Sequence, residues 1–287
     1  MTANPLETLF PNELQARLEM KPVLVLPIGT IEWHSHHLPI GFDGIAAQSI
    51  GTKIAEMCDA VLAPVTYWAA GGVAYPYTLK LTVELIEPLY VAIFAQFAEM
   101  GFRVIAAYTG HFGIEQTLAL KRAALTVMQA APVTILPITA YDLISEFWKG
   151  DHAAAGETAM LQALFPKYVR LDAVAADEPL DGILGDDPRN VRIDGEKLVS
   201  EIVSRAAQVT NRLLNDTSPV QRSRYLETLQ LAVKVLKKTY EQRQVMPKSL
   251  VPSITSPSYL AYCQAIYAGD YLLARQHIER KLGDLSV

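Results

Sequence analysis

The chain has 287 residues, 51% of them hydrophobic, and a net charge of −5 from 25 Lys+Arg against 30 Asp+Glu. This supports one large domain, or one domain with a small appendage, and leaves no basic footprint for nucleic acid. The two cysteines, Cys58 and Cys263, stand far apart in apolar surroundings and make neither a disulfide framework nor a zinc ribbon.

No basic segment followed by a long apolar run opens the sequence, so no signal peptide is read there. The most apolar window, Ile86 to Phe97, holds Glu87 and Pro88 and is too short to span a bilayer. A cytoplasmic protein without membrane or nucleic-acid partners is expected.

In chain order, Asn12 is read as the N-cap of a helix from Glu13 to Met20, followed by a strand from Val23 to Ile28. Gly44 to Cys58 has helical spacing, and Val61 to Thr66 reads as a second strand. A Gly/Tyr-rich loop runs from Trp68 to Thr78. Thr82 caps a helix through Met100, stopped by Gly101. Val104 to Tyr108 is a third strand, Glu115 to Ala130 a helix and Val133 to Pro137 a fourth strand. Strands alternating with helices imply a mostly parallel sheet with helices on both faces. Ligands of such sheets sit beyond the carboxyl ends of the strands.

Further on, Glu157 starts a helix that stops before Pro166. Asp172 to Asn190, rich in Asp, Pro and Gly, is a loop, and Ile193 to Asn215 a helix. After Ser218-Pro219 the character changes. Gln221 to Arg243 is a long amphipathic helix and Val245 to Pro257 a Pro-rich linker. Tyr259–Tyr267 and Tyr271–Leu282 form a helix pair turning at Gly269-Asp270. Residues 1–218 are read as the main domain and 219–287 as a helical C-terminal extension.

The chemistry concentrates where the first strand ends. Glu32, His34, His36, His37 and Asp43 fall within a dozen residues, and Glu32 and His34 point to the same side of extended backbone. Pro39 and Gly41 let Asp43 fold back. This mixture of imidazole and carboxylate suits a divalent cation; Zn, Mn and Fe all fit. Five of the six histidines lie in loops of this kind, His111 after the third strand and His152 shortly before Glu157.

Here the chain resembles the creatininase (creatinine amidohydrolase) superfamily. Glu32 to Asp43 is similar to its Glu-x-His-Gly-x-His-Leu-Pro-x-x-x-Asp signature. Thr109-Gly110-His111 resembles its Asn-Gly-His-Gly-Gly-Asn loop, and His152 to Ala159 its His-Ala-Gly-x-x-Glu-Thr-Ser segment. Trp148 sits where creatininase has a substrate-contacting Trp. The resemblance covers roughly residues 20 to 215 and leaves the extension outside.

The resemblance implies a three-layer α/β/α sandwich and a metal-dependent amidohydrolase with one or two divalent ions. Glu32 and His111 would hold one metal and His34 the other, with Asp43 bridging. His152 and Glu157 would form the catalytic pair. The substrate would be a small cyclic amide, a formamide or a related amide, with a peptide as a further alternative, and the protein a homo-oligomer, commonly a hexamer. There are departures. The family's Glu ligand two residues after the second-motif His is Gly113 here, so Glu157 is a candidate to complete that shell. Ser35 replaces a Gly, Thr109, Phe112 and Ile114 depart from the second-motif loop, and the family's Pro-Gly-Thr turn is Pro76-Tyr77-Thr78 here. These changes line the substrate side, where Trp148, His36, Phe112 and Thr78 are expected to contact substrate. An alternative is a catalytically altered metal-binding scaffold whose helical tail recruits a partner.

Overall fold

The computed structural model describes residues 4–174, 181–190, 192–246 and 255–285. Six consecutive buried residues, Val23–Ile28, form β2, the middle strand of a five-stranded parallel sheet. Its order is β1-β3-β2-β4-β5, with β1 Asn4–Pro5, β3 Val61–Leu62, β4 Val104–Thr109 and β5 Thr134–Thr139. A strand covered on both faces is apolar throughout. Leu24, Leu26 and Ile28 join one core with Ile105, Ala107 and Ile135. Val23 and Val25 join the other with Val104, Ala106, Tyr108, Leu136 and Ile138. The two sets alternate along each strand, as the pleat requires.

Helices α2 (Phe42–Cys58), α5 (Ala140–Ile144), α6 (Ala155–Leu164) and α7 (Gly195–Asn215) cover the second face. Helices α3 (Val83–Glu99) and α4 (Ile114–Ala130) cover the first. The result is the expected α/β/α sandwich. Register brings β2, β4 and β5 to a common end, Ile28 opposite Thr109 and Thr109 opposite Thr139. The loops after these residues open on one edge.

Several local expectations change. Strand β3 stops at Leu62 because Pro64 lacks the amide a longer ladder needs; Thr66 returns only as a single bridge to Ile28. Helix α1 (Pro11–Met20) begins with Pro11 at its first position. Asn12 therefore lies inside the helix, and the capping carboxylate is Glu13, which accepts the Phe10 N–H at 2.8 Å. Thr82 stands at the N-cap of α3 but makes no side-chain capping bond. Helix α6 starts two residues before Glu157. The readings at 175–180 and in the linker at 247–254 lie outside the described residues.

The C-terminal helices, α8 (Pro219–Val245), α9 (Pro257–Ala268) and α10 (Tyr271–Asp284), add to the first face. Tyr225, Leu229, Val235, Leu236, Tyr259, Cys263 and Ile278 share one apolar core with β2, β4 and α4. Polar contacts fasten them. The Tyr225 hydroxyl donates to the Ile135 carbonyl at 2.9 Å, and Arg222 Nη2 donates to the carbonyls of Met128 and Ala131 at 2.7 and 2.9 Å. Lys121 on α4 and Asp142 on α5 form a buried ion pair of 3.0 Å. The Cys263 thiol closes it, donating to the other Asp142 oxygen at 3.2 Å.

Candidate metal centre

Three glycines decide where the centre lies. A Cβ on Gly29, after β2, would lie 2.2 Å from Gly44 N, and one on Gly110, after β4, would lie 2.3 Å from the Asp43 carbonyl oxygen. Neither distance is tolerable, so only glycine lets the start of α2 sit between the two strand ends. A Cβ on Gly44 would in turn meet the Tyr67 ring at 2.2 Å. This seating delivers Asp43 between the loops carrying Glu32, His34 and His111.

Asp43 is 1% exposed, and each of its oxygens faces a histidine. Oδ2 lies 3.3 Å from His111 Nδ1, which is also 2.8 Å from Glu32 Oε2. Oδ1 lies 3.3 Å from His34 Nε2, itself 3.6 Å from Glu157 Oε2. Two ligand groups result, Glu32/Asp43/His111 and His34/Asp43/Glu157, and each keeps its candidate atoms within 4.8 Å of one another. A third such group joins Glu32, His34 and His152.

The outward nitrogens fix the tautomers. His34 Nδ1 lies 3.0 Å from the Glu32 carbonyl and His111 Nε2 3.1 Å from the Ala70 carbonyl. A carbonyl only accepts, so each outer nitrogen carries hydrogen and the inner one faces the carboxylates. That is how metal-ligating histidines are held. His34 Nε2 and Asp43 Oδ2 are buried without a hydrogen-bond partner, although buried polar atoms are normally satisfied. A divalent cation meets that deficit, so the residues fit the ion.

Charge tells the same story. Burial opposes charging of His34, but Asp43 and then Glu157 raise its pKa to about 10. His111 is pushed well up against the same burial by Glu32 and Asp43. Glu157 is raised by burial, which outweighs His34. The start of a helix favours a carboxylate that stays ionised, but for Glu157 burial dominates. Its Oε2 accepts the Ala153 N–H at 2.6 Å, and Asp151 accepts from the N–H groups of Gly156 and Glu157 at 2.7 and 3.1 Å. Asp151 therefore caps α6 from four residues before its start.

His152 stands over His34, ring centroids 4.4 Å apart. Its Nε2 lies 2.9 Å from the Trp33 carbonyl, so Nε2 donates and Nδ1 is left free to exchange a proton. Burial and the neighbouring His34 lower its pKa to about 4. Glu32, Asp43, His111, His152 and Glu157 line a cavity of about 530 Å³ together with Phe112, Lys80, Glu115, Leu184 and Arg243.

Of the expected substrate contacts, Phe112 lines this cavity, whereas Trp148, His36 and Thr78 are not among its lining residues. Trp148 is buried behind Phe112, edge-on at 5.5 Å, and packs against Gly156. His36 is exposed, with its ring at the edge of Trp33. Thr78 accepts the Trp33 N–H at 3.1 Å and so anchors the loop, in which Trp33 stacks on Tyr75 at 3.6 Å. His37 bonds Thr158 at 2.9 Å and lies outside the ligand groups.

Three supports escaped the sequence reading. Val73 N–H donates to Glu32 Oε1 at 2.6 Å. Gln116 accepts from Ala70 N–H at 3.0 Å and donates to the Tyr90 hydroxyl at 2.9 Å, which holds the segment whose carbonyl orients His111. Asp151 is the third. An Asp one residue before His152 was the only trace of these in the sequence.

The family model of creatininase, creatinine amidohydrolase, matches residues 7–210. The chain is 26% identical over 183 residues to the creatinine amidohydrolase of Pseudomonas putida, a match covering 55% of this chain and 70% of that protein. It is 29% identical over 220 residues to the mycofactocin precursor peptide peptidase of Mycolicibacterium smegmatis, covering 67% and 86%. A creatininase crystal structure superposes with a TM-score of 0.65 at 19% identity, covering 74% of this chain and 99% of that one. About a quarter of this chain therefore lies outside the match. Among the similar structures are one described as creatininase Mn and a mutant creatininase of Zn-Zn type.

Proposed function

We propose, from the premise that the chain belongs to the creatininase family, that it hydrolyses the C–N bond of a small amide at a two-metal centre. The observation that carries this is the pair of ligand groups sharing Asp43. Glu32, Asp43 and His111 would hold one divalent ion, and His34, Asp43 and Glu157 the other. Glu157 thereby supplies the carboxylate missing at Gly113, which argues against a scaffold that has lost its second ion. Such ions, when bound, polarise a carbonyl and lower the pKa of a water.

The chain's own residues handle the proton. Hydrolysis adds OH to the acyl carbon and H to the departing nitrogen. His152, neutral at physiological pH because of its lowered pKa, accepts a proton at Nδ1 from the attacking water and returns it to that nitrogen. The Trp33 carbonyl holds the ring in the required tautomer. Phe112 and Leu184 give the cavity apolar walls for a planar amide. Cyclic amides and formamides fit this reading. A cytoplasmic location and a homo-oligomeric state belong to the same proposal; among the described residues no helix is long and apolar enough to cross a membrane.

The test is a pair of variants assayed on a panel of small amides with metal content measured in parallel. His152→Ala should lower kcat by roughly 10²–10⁴-fold with metal content unchanged. Glu157→Gln should remove one ion. Full activity in both variants would eliminate the assignment.

A further inference from the structure

The cavity wall is not built by the family domain alone. Arg243 and Gln244, at the end of α8, line it together with Lys80 from the loop before α3. Helix α8 belongs to the extension, beyond the residues the family model matches. So the extension contributes a cation to the wall of a cavity whose other residues, Gln244 apart, all precede it.

Among the described residues neither cation is neutralised: neither Lys80 nor Arg243 has an ion pair or a side-chain hydrogen bond, and the Arg243 Nε is buried without a partner. Helix α10 adds Lys281, a further cation, whose pKa is lowered by burial, raised by Asp284 and lowered again by Arg243. Glu115, another lining residue, turns toward Gly71 and Gly113. Its Oε2 would lie 3.2 Å from a Cβ on Gly71 and 3.7 Å from one on Gly113, where His111 Nε2 would be 3.6 Å away. The remaining cavity carboxylates are the ligand candidates Glu32, Asp43 and Glu157, and Asp151, which caps α6. A guanidinium with unused donors and an ammonium lining the same cavity suit a carboxylate.

We propose that Arg243, with Lys80, recognises an anionic group on the substrate, and that the substrate is an amide carrying a carboxylate, of the N-acyl amino acid type. This rests on the amidohydrolase reading for the position of the scissile bond, but the anion site itself does not depend on turnover. Arg243 and Lys80 are specificity residues here and touch the substrate away from the reacting atoms.

The experiment measures binding and hydrolysis separately. The full-length, manganese-loaded protein is titrated calorimetrically with N-acetylglycine, N-acetylalanine and N-acetylphenylalanine, each paired with its neutral methyl ester. The acids should bind roughly tenfold to a hundredfold more tightly than their esters. Arg243→Met should bring acid and ester to within about twofold of each other. Lys80→Met, at an exposed position, should reduce the preference in part. Lys237→Met, on the same helix but paired with Glu241, should keep it. Equal or undetectable binding of acids and esters in the unaltered protein overturns the inference, as does a preference that survives Arg243→Met. Hydrolysis of the same compounds is followed in separate assays. Acid preference without turnover overturns the hydrolase reading alone; turnover without acid preference overturns this inference alone.

Discussion

His34 and His111 hold protons that a divalent cation would have to displace. Asp43 and Glu157 raise the His34 pKa to about 10, and Glu32 and Asp43 raise that of His111, both against burial. Both imidazoles are thereby biased toward the protonated form, whereas a ligand must be neutral. Raised pKa values mean that affinity climbs as pH rises toward them and falls as pH drops. Metal titration by calorimetry in buffers of different ionisation enthalpy should show net proton release near pH 7; heats independent of buffer would contradict it. These two histidines, with Glu32 and Asp43, were legible in the sequence because their spacing at strand ends is itself the signal. Gln116 and Val73 were not. Their contribution is a carboxamide or an amide brought in by tertiary packing, and neither residue type advertises that role. Glu157 was legible as a site residue, but its place beside His34 depends on how α6 meets α2.

Strand ends and helix starts are where packing tolerances become chemistry. Gly110 faces the Asp43 carbonyl so closely that a single methyl has no room. Gly110→Ala should shift the first turn of α2 and with it the one carboxylate common to both ligand groups. Loss of both ions together, measured by metal analysis of the purified variant with the fold monitored by circular dichroism, is the expected outcome. Retention of two ions would show that the seating of α2 is looser than the contact implies. At this scale the alternation of strands and helices could be read directly, because fully buried parallel strands are apolar throughout and helices carry their own spacing. The misreadings were local. Pro64 cut β3 short, Pro11 moved the start of α1 ahead of Asn12, and Asp151 capped α6 from outside it. In each case a backbone amide, absent or satisfied from afar, set the boundary.

Across the whole molecule the extension continues the core of the first sheet face, through Tyr225, Leu229, Leu236, Tyr259 and Cys263. Its helices were legible from their spacing, but not their docking, since an amphipathic pattern does not name the surface it covers. The Arg222 and Tyr225 bonds to carbonyls near β5 make that choice here. The two cysteines turn this arrangement into a pair of clocks. Cys58 lies in the apolar core of one sheet face and Cys263 in that of the other, both fully buried. Burial raises the Cys58 pKa to about 11, and burial with Asp142 raises that of Cys263 well above the usual thiol range. Only the thiolate reacts, so each sulfur stays silent until its own face opens. Because the extension and the sheet share one core, alkylation of the native protein under mild denaturant should label both thiols at a common rate. Labelling of Cys263 well ahead of Cys58 would mean that the extension lifts from the sandwich on its own, carrying Arg243 away from the cavity each time it does.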